Sequence, residues 1–186
     1  MRIETTKKLF TVDEYYRMAD AGIFAPEDRV ELIEGEIIKM SPIGLRHAAA
    51  VTRATDFFTF MFRGKAVVQI QSPVRLDVHN EPVPDVALLK YRTDYYVSRH
   101  RSPGDVLLLV EVSDTTLRYD LNVKLPIYAK CGIPEVWIED LQGDVILAFR
   151  EPSGKRYRTQ RTFQRGEEIS PIAFPDISLK IAELLG

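Results

Sequence analysis

Apolar positions along the chain change period several times, and each change marks an element. Thr11 stands three places before Glu14, the spacing of a capping box, and predicts a short helix through about Ala19. From Arg29 to Met40 (RVELIEGEIIKM) apolar and polar residues alternate on both sides of Glu34-Gly35, the pattern of a β-hairpin turning on that dipeptide. Leu45 to Phe62 switches to helical spacing, with Val51, Ala54, Phe58 and Met61 along one side. Pro42 and Gly44 mark the start of that helix and Gly64 its stop.

Three strand-like segments follow. Ala66 to Asp77 is long, and Pro73 within it predicts a bend or bulge. After the turn HNEPVP comes Val86 to Tyr91. Val106 to Val112 is an unbroken apolar run, the signature of a strand covered on both faces. The polar, aromatic and basic stretch RTDYYVSRHRSPGD between the last two is long enough for a functional loop. Thr116 to Cys131 reads as a helix closed by Gly132, with Pro126 inside it blurring its start. Glu135 to Glu139 is a fourth core strand; a hairpin with a Pro-Ser-Gly turn (VILAFREPSGKRYRTQRTF) is appended, and a short helix spans Leu179 to Leu185. The expected fold is mixed α/β with a core in the order αβββαβ, in a single domain over residues 1–186.

Composition narrows this picture without redirecting it. In 186 residues, 45% hydrophobic and 28% charged content suffices for one full core and gives no sign of disorder. A formal net charge of −2 confines any nucleic-acid surface to local clusters. The single cysteine, Cys131, excludes an internal disulfide and a cysteine-based zinc site. The opening MRIETTKKLFTVDEYY lacks the apolar core of a signal peptide, and no apolar run reaches the roughly 20 residues of a membrane span. The expectation is a cytoplasmic protein with no membrane partner.

The chemistry is carried by charged residues at the edges of apolar segments. Asp85 opens the second core strand directly after a proline, and Glu111 ends the third. At about 100° per residue, Leu117, Leu121, Lys124 and Tyr128 share one stripe of the following helix, so Lys124 aims at the sheet. A buried ammonium needs partners, and two strand-end carboxylates supply them. Two acids and a lysine in one cleft suit Mg²⁺, activation of water and stabilisation of a phosphodiester under attack. Each residue alone has a plainer use: Asp85 as a turn residue, Glu111 as a loop anchor, Lys124 running along the helix side to water. The three together, on adjacent elements, favour a metal-dependent site.

Pro84-Asp85, Glu111-Val112-Ser113 and the later Lys124 resemble the PD-(D/E)XK nuclease superfamily, with the motif lysine moved from strand to helix. More narrowly, ELIEGEIIKMSP, His47, PDVALL, LLLVEVSD, Asp120 with Lys124 and Tyr128, and CGIPEVWIED resemble the Uma-two family of bacterial restriction-endonuclease-like proteins, over about Thr11 to Phe149. The resemblance implies a restriction-endonuclease-like fold and Mg²⁺-dependent phosphodiester hydrolysis, with Mn²⁺ as a substitute. It makes Asp85, Glu111 and the Val112 carbonyl the metal ligands and gives Lys124 the catalytic cation's role. Ser113 occupies the usual lysine place and supplies no cation; Glu31 and His47 fall near the site.

His47, at the start of the long helix, suits either a metal or phosphate contact or an ordinary loop hydrogen bond. His79 and His100 have no cluster partner. Arg92, Arg99 and Arg101 share a loop with Tyr95 and Tyr96, a mixture suited to phosphates and stacked bases. Arg156 and Arg158 belong to a basic group on the C-terminal hairpin, which is either a solvated face or a nucleic-acid contact. Trp137 and Tyr128 read as core. The leading expectation is an endonuclease acting on nucleic acid, DNA first, as a homodimer. The alternatives are a non-catalytic module that keeps the fold to bind nucleic acid or protein, and a metal-dependent hydrolase of another substrate.

Overall fold

Local signals settle the first half of the chain in a computed structural model, which describes residues 6–25 and 27–186. The first five residues of the segment read for a targeting signal lie outside that description. Helix α1 (Val12–Asp20) starts with the reciprocal Thr11–Glu14 capping box, each partner satisfying a free amide of the other. Strands β1 (Val30–Ile33) and β2 (Glu36–Lys39) form the expected hairpin. Its turn needs left-handed backbone at both Glu34 (φ 48°) and Gly35 (φ 77°). Gly35 is also too crowded for a side chain, since a Cβ there would lie 2.7 Å from that of Leu9. Helix α2 (Leu45–Phe62) has the predicted limits.

The central sheet has six strands in the order β3 (Ala66–Ile70), β4 (Val86–Lys90), β5 (Val106–Ser113), β6 (Glu135–Asp140), β7 (Val145–Ser153) and β8 (Arg156–Phe163). Only β5 and β6 run parallel, which requires the helical crossover between them. The C-terminal hairpin is therefore an extension of the sheet rather than an appendage. The expected strand from Ala66 to Asp77 ends early, because Gln71 turns left-handed (φ 45°) two residues before Pro73. Beyond it Val74 and Leu76 bond to Pro82 and Asn80 instead of to the sheet. Leu179–Lys180, expected as helix, pairs as strand β10 with β9 (Glu168–Ile169), leaving Ile181–Leu185 for the final helix.

Pro126 produces the largest departure. It cannot donate an amide to the preceding turn, and the crossover is not one α-helix. A short turn, α3 (Leu117–Tyr119), leads into a π-helical turn at Asp120–Lys124 and then α4 (Leu125–Lys130). The Leu125 amide bonds to the Asp120 carbonyl five residues back, the mark of one extra residue in the turn.

Alternation along the strands divides the core. Leu88, Leu108, Val110 and Trp137 face α2 and the C-terminal helix, where Phe58 and Phe62 fill the gap. Ala87, Leu89, Leu109, Val136 and Ile138 face α4, with Ile127 and Tyr128 against them. Strand β5 is covered on both sides, as its composition demands. Among the described residues no helix is long and apolar enough to cross a membrane. Phe58 is fully buried and packs near Trp137. Phe58→Ala should lower the unfolding free energy by about 3–5 kcal/mol, read from the urea midpoint; a loss under about 1 kcal/mol would mean this face is not close-packed.

Candidate active site

Strand polarity brings the candidate carboxylates together. Strands β4 and β5 are antiparallel, so the start of one meets the end of the other and Val86 pairs with Val110. Asp85 and Glu111 thus stand at one end of the sheet. The parallel pairing of β5 with β6 adds Glu139, opposite Val112, at the same end.

Lys124 reaches this end from the π-helical turn and is only 5% exposed. Its Nζ lies 3.3 Å from a Glu111 oxygen and 3.3 Å from a Glu31 oxygen. The stripe predicted for the helix holds at its two polar members, since Tyr128 also turns inward and its hydroxyl donates a short hydrogen bond to Glu111. Glu31 further accepts hydrogen bonds from the Val83 amide at 3.1 Å and the Tyr119 hydroxyl at 3.3 Å. Ser113, in the usual lysine place, donates to Asp120 at 2.7 Å, as Thr116 does at 2.9 Å.

Asp85 is fastened by three donors. The Val112 amide (2.9 Å) and His47 Nε2 (3.1 Å) reach one oxygen, and Gln71 Nε2 (3.1 Å) reaches the other. The left-handed backbone of Gln71 is what ends β3 and lets its side chain turn back to Asp85. His47 Nδ1 is buried with no hydrogen-bond partner among the described residues. Glu139 pairs with Arg53 at 3.2 Å, behind this group.

Burial and mutual repulsion set the charges. Desolvation, with the nearby Asp120 and Asp85 carboxylates, pushes Glu111 up to about 8, against the pull of Lys124 and Tyr128. Burial likewise raises Asp120, and raises Glu139 to about 7 against Arg53. Burial also works against the Lys124 ammonium, but the surrounding carboxylates outweigh it and hold Lys124 above its ordinary value. Lys124 therefore keeps its charge at neutral pH. Desolvation opposes ionisation of Asp85 too, yet the His47, Val112 and Gln71 bonds win and hold it low. His47 is held above its usual value by its bond to Asp85.

A cleft of about 580 Å³ opens over this floor, lined by Glu31, Asp85, Glu111, Val112, Asp120 and Lys124. Arg29 and Lys39 stand on the hairpin wall and Arg118 on α3. The donor chemistry fits a hard divalent cation: the carboxylates of Glu31, Asp85, Glu111 and Asp120 line one space, and burial together with the neighbouring acids raises Glu111. Among the described residues, no three His, Cys, Asp or Glu side chains already converge as a metal cage.

The other basic candidates lie elsewhere. The loop carrying Arg92, Arg99 and Arg101 joins the opposite strand ends, away from Asp85 and Glu111. Arg92 is held by Asp94 and Arg99 by Asp105 in bidentate pairs that flank the Tyr96 ring. Arg101 Nε is buried and has no hydrogen-bond partner among the described residues. Arg156 and Arg158 sit at the start of β8, also at the far end, and are exposed. Trp137 is core as expected, donating to Glu135. Sequence reasoning gave no site role to Tyr119, Gln71 or Glu139; Asp120 and Tyr128 entered beside Lys124 only as residues of the family resemblance, and Tyr128 otherwise read as core. Helical spacing carried a signal for Asp120 and Tyr128, each four residues from Lys124; nothing local pointed to Gln71.

Strand order, a helical crossover after β5 and acids with a lysine at one shared sheet end together define a restriction-endonuclease-like protein. Residues 12–182 match the Uma2 family model, described as "Putative restriction endonuclease", and the chain belongs to that family. Among solved structures it is similar to one described as "a putative nuclease belonging to DUF820" from Anabaena variabilis ATCC 29413. The two share 16% identity with a TM-score of 0.70, over 95% of this chain and 97% of the other, a likeness of fold. No curated protein matches the chain.

The raised Glu111 carboxyl makes stability depend on pH. Between its ordinary value of 4.5 and about 8 the folded chain holds a proton there that the unfolded chain has released. The stabilisation is therefore complete at the acid end and declines as pH rises, by up to about 1.4 kcal/mol per pH unit. Urea unfolding across that range should show a steeper fall for the wild-type protein than for Glu111→Gln; parallel curves would contradict the assignment.

Proposed function

We propose that the protein is an endonuclease that hydrolyses phosphodiester bonds of DNA with a divalent metal, Mg²⁺ or in its place Mn²⁺. The observation that carries this reading is the Lys124 ammonium set between Glu31 and Glu111, one strand from Asp85, on the floor of an open cleft. Asp85, Glu111 and the Val112 carbonyl would hold the metal, which supplies Lewis-acid activation of water and of the phosphoryl oxygen when bound.

The chain's own residues define the remaining roles. Lys124, held above its ordinary pKa, stays an ammonium at neutral pH and cannot accept a proton. It therefore orients the attacking water and steadies negative charge developing on the phosphate, as a donor rather than a base. Tyr128 and Lys124 fix the orientation of Glu111, and His47, Gln71 and the Val112 amide fix that of Asp85. Arg29, Lys39 and Arg118 on the cleft walls suit the flanking phosphates. Helix α2 begins at Gly44 with no side-chain cap and no acid in its first turn, which leaves its amide end open to an anion at the rim.

One observation favours a second reading. The oxygens of Asp85 are already engaged by three donors and those of Glu111 by Lys124 and Tyr128, the arrangement of a module that keeps the fold and only binds. The same assay separates the two. Supercoiled plasmid with Mg²⁺ or Mn²⁺ should be nicked by the wild-type protein and about 100-fold or more slowly by Asp85→Ala and by Lys124→Met, with EDTA abolishing cutting. Equal nicking by all three would reject these roles. Salt-sensitive binding that ignores EDTA, with no nicking, would select the binding module.

A further inference from the structure

The segment joining β2 to α2, Met40-Ser41-Pro42-Ile43-Gly44, forms one lip of the cleft together with Leu45, the first residue of α2. Met40 through Gly44 line it, while Leu45 is 91% exposed and Ile43 43%. The lip is anchored at both ends. The Met40 amide bonds to the Arg29 carbonyl at 2.8 Å, and the Gly44 carbonyl accepts from Ala48 at 2.9 Å. Leu45 is held on the first turn of α2 and Ile43 lies between the two anchors, with both side chains reaching solvent. Ile43 borders a floor whose groups, Glu111 and Lys124, are only 3% and 5% exposed, and Leu45 stands two residues on, on the outer side of the lip. Cations surround the lip: Arg29 and Arg118 on the cleft walls, with Lys39 and Arg46 beside them in solvent-exposed pairs with Asp28 at 3.0 Å and Asp114 at 3.4 Å, which phosphates can replace.

That combination selects its occupant. Two copies of this surface meeting about a two-fold axis would bring like charges together. A polyanion with apolar faces between its charges fits both features, and nucleic acid has both. A straight duplex keeps its phosphates on a smooth cylinder, whereas the floor lies below the rim. Apolar wedges solve this problem by entering a base step, unstacking it and bending the strand.

We propose that Ile43 and Leu45 are such a wedge: they enter between neighbouring bases beside the phosphodiester to be cut and tip its backbone toward Lys124. The proposal rests on the nuclease reading above. The wedge acts on whatever step unstacks most easily, so it favours flexible pyrimidine–purine steps over stiff A-tracts without reading base edges.

The test uses short duplexes carrying 2-aminopurine, bound in Ca²⁺ buffer, with anisotropy of an end label reporting binding. The proteins compared are wild type, the double variant Ile43→Ser/Leu45→Ser and Arg118→Ala; the two apolar side chains are exposed, so their exchange leaves the core intact. Wild-type binding should raise 2-aminopurine emission roughly three-fold or more, and the double variant should bind about five-fold more weakly and lose that rise even at saturation. Arg118→Ala should weaken binding but keep the rise. Binding with no rise in the wild type, or an equal rise in the double variant, overturns the wedge and leaves the nuclease reading standing. No binding to any duplex overturns both. A wild-type dimer that the double variant abolishes, seen by light scattering, also overturns the wedge and gives the lip to self-association.

Discussion

The site depends on one buried charge. Lys124 brings an ammonium into a place almost closed to water, where an unpaired charge would cost several kcal/mol. It is tolerated because Glu31 and Glu111 reach it from two different elements, the hairpin and the middle of the sheet. Three segments far apart in sequence are thereby fixed to one point. The hairpin, which belongs to a separate two-stranded sheet, is tied to the central sheet by this ion pair and to the connection between β3 and β4 by the Leu32–Glu81 bridge. A site built this way is not added to a finished fold, since the same ion pairs hold the hairpin wall in place.

The carboxylates around Lys124 divide into two kinds. Asp85 keeps its charge because donors surround it, whereas burial and acidic neighbours push the Glu111 carboxyl up against the pull of Lys124 and Tyr128. Their environments push the two acids apart in pKa although they stand at the ends of adjacent strands. An incoming cation would act chiefly on Glu111, favouring the ionised form that burial disfavours. Site charge and cation binding are coupled through that residue.

Much of this was legible in the sequence, and what was missed has physical reasons. The limits of α2 and the Glu34-Gly35 turn follow from spacing and backbone preference, which are local. Lys124 was traceable because a helix repeats regularly enough for its inward face to be counted. Gln71 was not: its contact with Asp85 depends on a left-handed residue that no glycine or asparagine announces. The basic loop shows the opposite case. Arg92 and Arg99 read as free charges, but Asp94 and Asp105, nearby in the same stretch, hold them in bidentate pairs. Spacing identifies residue types, and strand polarity decides which end of the sheet they occupy.

The π-helical turn before Pro126 carries a consequence of its own. One surplus residue is wound into the crossover without lengthening it, and it sits between Asp120 and Leu125. Were the chain one residue shorter there, the same span would close as ordinary α-helix, and everything before it would swing by about 100° relative to α4. Tyr128 would keep its place against Glu111 while Asp120 and its neighbours rotated off the cleft. The phase of the site is thus written as an insertion, so a deletion at this point acts as a rotation rather than as a loss of length.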